Sequence, residues 1–72
     1  MNQQKIYRIM DYIRRQGPLP TDPYGQTLSN EDIVVWYGFA ETLTLLEQRQ
    51  IKIELQAMKE IDEAIRLARI DH

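Results

Sequence analysis

The sequence predicts an all-α fold: a short N-terminal helix, a Pro-rich connector and one long amphipathic helix, assembled as a helical oligomer. Three observations predict it. Ile6, Ile9, Met10 and Ile13 recur at i, i+3, i+4, i+7, the spacing of one helix face. Three prolines and two glycines then cluster between residues 17 and 28. From Phe39 to His72 there is no Gly, Pro, Ser or Asn, so nothing local interrupts helical propensity.

The first helix is expected over residues 3–16. Gly17 and Pro18 stop it, glycine because it tolerates the conformation past a helix end and proline because it cannot continue one. Arg14 and Arg15 fall in the last turn, where cations complement the helix dipole. Residues 17–28 are expected as a semi-rigid connector, because proline fixes φ and removes a donor. Within it Asp22-Pro23-Tyr24-Gly25 has the residue order of a tight turn.

The long helix is expected over residues 29–70. Ser29 is placed as its N-cap, with Asp32 three residues on. Leu28 and Ile33 flank that cap as a hydrophobic staple, and Glu31 and Asp32 suit the positive end of the dipole. A helix of that length would measure roughly 60 Å at ~1.5 Å per residue. That is about twice the width of a compact globule of this size, whose radius of gyration would be ~11 Å. Such a helix must fold back or find a partner. A bend near Gly38 or around residues 48–50 is the alternative to an unbroken rod.

Projected at 100° per residue, the long segment shows one wide apolar stripe, wider than a 14-residue first helix can cover. The expected interface comprises Trp36, Phe39, Leu43, Leu46, Glu47, Gln50, Ile53, Glu54, Met58, Ile61 and Ile65, with Tyr37 beside the stripe. Glu47, Gln50 and Glu54, at i, i+3, i+7, interrupt the stripe. They read either as a buried polar layer that fixes register or accepts Arg8 or Arg15 from the first helix, or as the point where the stripe runs into solvent.

Seventy-two residues allow one small domain, near the lower limit for an independent core. Without Cys there is no disulfide or thiolate metal site, and the single His is His72. Self-association is the remaining device for stabilising so small a chain. The absence of Cys fits a cytoplasmic protein. The N-terminal residues contain no apolar stretch of a secretory signal, and no run approaches the ~18 apolar residues of a membrane span. Net charge is −2. It is divided, with a balance of +3 over residues 1–16 and −4 over residues 31–72. A basic first helix lying on an acidic second one is the simplest use of that division. General nucleic-acid binding, which needs a basic surface field, is disfavoured.

No catalytic motif, phosphate loop or metal-ligand spacing is present, so no enzyme, cofactor or metal is expected. Arg8, Tyr12 and Arg15 on the first helix, with Tyr24 on the connector, are the one candidate site for an anion and a ring, since arginine offers a planar fork and tyrosine a stacking face. Trp36, Tyr37 and Phe39 around Gly38 form an aromatic cluster that serves equally as core or as interface anchor. The run Lys5 to Pro20 has the rhythm of the first helix of many winged-helix proteins. That resemblance covers under a quarter of the chain. The sequence predicts neither the third helix nor the β-wing that the family would need, so no family is assigned.

The functional expectation is a non-enzymatic, oligomeric helical protein that docks on or inhibits another protein, a class that includes many phage and bacterial regulators. Two alternatives stay open. One is sequestration of an anionic small molecule such as a nucleotide between subunits. The other is a DNA-binding or antitoxin-like module using Arg8, Arg14 and Arg15.

Overall fold

The computed structural model describes residues 3–70, without the side chain of Ile70; His72 lies outside them. Those residues form three helices and no strand: α1 Gln3–Arg15, α2 Asn30–Trp36 and α3 Leu45–Ile70. The all-α class is therefore as the sequence predicts.

The first helix buries Ile6, Met10 and Ile13, the stripe its periodicity marks. It closes with Gln16 N–H on the Ile13 carbonyl and Gly17 N–H on the Arg14 carbonyl, both at 3.2 Å. Gly17 then turns the chain at φ +89°. In the connector, Asp22 organises a tight reversal. Its Oδ1 accepts from the amides of Tyr24 and Gln26, both at 2.9 Å, and its carbonyl accepts from Gly25 N–H at 3.0 Å. Thr21 and Thr27 pair across this turn as a single antiparallel bridge. Ser29 caps α2 as expected, its Oγ accepting from Asp32 N–H at 3.1 Å.

The expectation of one helix over residues 29–70 is overturned. α2 ends after seven residues, and helix does not resume until Leu45. The reason lies in two local devices. Gly38 takes the left-handed region at φ +78°. Its N–H bonds the Val35 carbonyl and Phe39 N–H reaches back to the Val34 carbonyl, both at 3.0 Å. This is a Schellman end, which satisfies carbonyls that a terminating helix leaves orphaned. Six residues on, Thr44 and Glu47 form a reciprocal capping box. Thr44 Oγ1 accepts from Glu47 N–H at 3.2 Å, and Glu47 Oε1 accepts from Thr44 N–H at 3.0 Å. Gln48 fastens the link between these ends, donating from Nε2 to the carbonyls of Ala40 at 2.8 Å and Leu43 at 3.1 Å.

α1 and α2 each pack on α3. Lys5 near the start of α1 meets Glu47 near the start of α3, and Arg14 near its end borders Glu54, Met58 and Ile61, so α1 and α3 run in the same direction. α2 runs back along α3. Asn30 at its start donates to the Lys52 carbonyl at 3.3 Å and to Gln56 Oε1 at 3.1 Å. Just before it, the Leu28 carbonyl accepts from Lys59 Nζ at 2.8 Å. The core is Ile6, Met10, Ile13, Ile33, Val34, Leu43, Ile51 and Leu55. It occupies only the first half of α3, and every residue from Glu60 to Arg69 is exposed. The radius of gyration is accordingly 13.2 Å, against ~11 Å for a compact chain of this length.

Candidate functional site

The break at Gly38 builds a groove against α1. By reversing the backbone it sets Tyr37 and Phe39 on one side, with rings stacked at 6.1 Å and 28°. Across from them stands α1, which presents Arg8 and Tyr12 one turn apart. The Tyr12 ring meets Tyr37 edge-on at 6.1 Å and 82°, and Phe39 at 6.4 Å and 79°. Edge-to-face contact is the geometry that ring quadrupoles favour. Arg8, Ile9, Tyr12, Tyr37 and Phe39 together line a groove of about 250 Å³. It continues past Arg8 into a second groove of about 370 Å³, lined by Gln4, Lys5, Thr42 and Leu43 besides shared residues. Tyr37 and Phe39 are half-buried, whereas Tyr12 is half-exposed and Arg8 exposed.

Beside this groove lies Glu47, the one buried charged residue among the described residues. Glu47 is 9% exposed and its Oε2 sits 3.1 Å from Lys5 Nζ. The Thr44 backbone N–H, and then the Lys5 ammonium, hold its carboxyl below the ordinary glutamate range, against the opposing effect of burial. On the far side of α3, burial lowers the pKa of Lys59.

The four residues expected to share an anion site do not come together. Arg8 and Tyr12 share the groove. Arg15 pairs instead with Asp11 one turn earlier, at 3.1 Å. Tyr24 stands 91% exposed in the connector turn. In place of those two, the structure supplies Tyr37 and Phe39. Trp36, grouped with them by sequence, is 64% exposed and outside the ring cluster.

The residues expected at an interface fall into two sets. Leu43 and Glu47 belong to the core of the chain itself, and Tyr37, Phe39 and Met58 pack partly against it. The polar layer also divides. Glu47 takes a cation from α1, but that cation is Lys5 and not Arg8 or Arg15, while Gln50 Nε2 donates to Glu54 Oε1 along the helix at 3.0 Å. Leu46, Ile53, Ile61 and Ile65 are exposed, as is Leu67. Sequence reasoning missed Lys5, Thr44 and Gln48. Of these, Thr44 carried a readable signal, Thr-x-x-Glu ahead of an apolar run.

Among the described residues no three acidic, His or Cys side chains gather as a metal-binding group, and no helix is long and apolar enough to cross a membrane. No protein-family model, curated protein or solved structure matches the chain.

Proposed function

We propose that this chain is a non-enzymatic helical binding protein that self-associates and docks on another protein to regulate it. One observation carries the reading. Among the described residues, eleven large hydrophobic side chains are exposed and eight hydrophobic residues are buried. Single exposed apolar residues are ordinary on a monomer, but Leu46, Ile53, Ile61, Ile65 and Leu67 lie together on one helix, and a contiguous apolar surface marks an interaction site. The docking surface proposed is the groove around Tyr12, Tyr37 and Phe39, since tyrosine and arginine are among the usual anchors of protein interfaces.

The test is capture of partners on immobilised wild-type protein and on an Arg8→Ala/Tyr12→Ala variant, followed by titration of the purified partner. The expected result is one protein whose affinity falls about tenfold or more in the variant. Equal affinity for both baits refutes docking at this groove.

A second reading keeps the anionic ligand. Arg8 is exposed next to three rings and has no acid partner among the described residues. A nucleotide at that position would raise the melting temperature of the wild type and leave Arg8→Ala unmoved. A DNA-binding module would instead show a mobility shift that collapses steeply with salt.

A further inference from the structure

We infer that a second copy of this chain packs antiparallel along the uncovered side of α3. This deepens the self-association part of the proposed function and is independent of the docking groove. α3 has three sides. α1 covers the side of Glu47, Ile51 and Met58, and α2 covers the side of Lys52 and Gln56. The third side carries Leu46, Gln50, Ile53, Ala57, Glu60, Ala64 and Leu67 at alternating spacings of four and three. That is the spacing of a heptad seam, with Gln50 and Glu60 as polar interruptions in it. It runs ~32 Å at ~1.5 Å per residue. Leu46, Ile53 and Leu67 on it are 67%, 56% and 55% exposed.

The seam is complementary to itself in one direction. In the antiparallel register that sets Ile53 opposite Ala57 of the second copy, Leu46 falls opposite Ala64 and Gln50 opposite Glu60. Leu46 and Ile53 then each meet an alanine, an amide meets a carboxylate, and Leu67 lies beyond the paired stretch. Flanking the seam, Arg49 comes level with Glu63 of the second copy, twice by symmetry. Both are exposed and neither has an ion pair among the described residues. Such flanking pairs set helix orientation. The parallel arrangement stacks Glu60 on Glu60 and Ala57 on Ala57, a like-charge layer beside an underfilled one. In the antiparallel register the one like-charge contact is Glu54 with its own counterpart near the axis, Glu54 being tied to Gln50 within each copy.

Sedimentation equilibrium over a concentration series tests this, with circular dichroism reporting fold. The wild type is expected at twice 8.6 kDa. Ile53→Glu, at an exposed position, is expected to be a folded monomer. Arg49→Glu is expected to weaken the dimer, Arg49→Glu/Glu63→Arg to restore it, and Glu54→Gln to tighten it. A monomeric wild type at every concentration overturns the inference. So does a dimer that survives Ile53→Glu. A charge reversal that Glu63→Arg fails to rescue overturns the register.

Discussion

Gly38→Ala separates two architectures by the sign of its effect. In the structure Gly38 has φ +78°, and a Cβ added there meets nothing within 4 Å. The whole penalty is therefore backbone strain, about 1–2 kcal/mol for an L-residue in the left-handed region. Alanine also restricts the unfolded chain, which returns about 0.4–1 kcal/mol. The net expectation is a loss of about 1 kcal/mol, or a fall in Tm of about 4–8 °C for a domain of this size. Were residues 29–70 one helix, glycine would sit in its interior. The same substitution would then stabilise by about 1 kcal/mol. Urea and thermal unfolding followed by far-ultraviolet circular dichroism read the difference. Gly38→Asn serves as the control, because asparagine tolerates the left-handed region better and should lose less. A rise in Tm for Gly38→Ala would refute the Schellman end and the helix break with it.

Two further outcomes follow from the core. The Glu47 carboxyl is held below its ordinary pKa, so its contribution is complete above that ordinary value and is lost as pH falls through the lowered one. Glu47→Gln is expected to be less stable than wild type at neutral pH and to lose less stability on acidification; parallel pH profiles of Tm for the two proteins would count against the capping and Lys5 contacts. Ile51 is fully buried where α1 and α2 meet α3, and Ile51→Ala should cost about 2–5 kcal/mol, much of the stability of so small a domain. An unchanged urea midpoint would mean that α3 does not carry the core on this face.

What could be read from sequence was what neighbouring residues decide among themselves. The α1 stripe, the Asp22 turn and the Ser29 cap each rest on contacts within a few residues, and each is present. The break at residues 37–44 is different in kind. A glycine inside a helix and a glycine just past its end look alike in sequence, and only the following segment tells them apart. That segment held its signal in Thr44 and Glu47, but Glu47 also fell on an apolar stripe and read as its interruption. The groove follows the same division. Arg8 and Tyr12 are neighbours on any helix. Tyr37 and Phe39 join them only because the chain turns back at Gly38.

The break removes the original ground for expecting assembly, which was a helix too long for its own domain. A folded-back chain has no such need. It does, however, draw on only part of the apolar surface of residues 29–70. Ile33, Leu43, Ile51 and Leu55 are taken into the core, while Leu46, Ile53, Ile61, Ile65 and Leu67 remain exposed. The reason is one of supply. α1 and α2 together give α3 two covers of 13 and 7 residues, and a 26-residue helix with two short neighbours keeps a third side and a projecting end. Folding the helix back thus moves the case for a partner from length to faces. It also makes that case sharper, because the antiparallel pairing proposed for the uncovered side names a register, a pair of charges and a substitution, Ile53→Glu, that would disrupt it without entering the core.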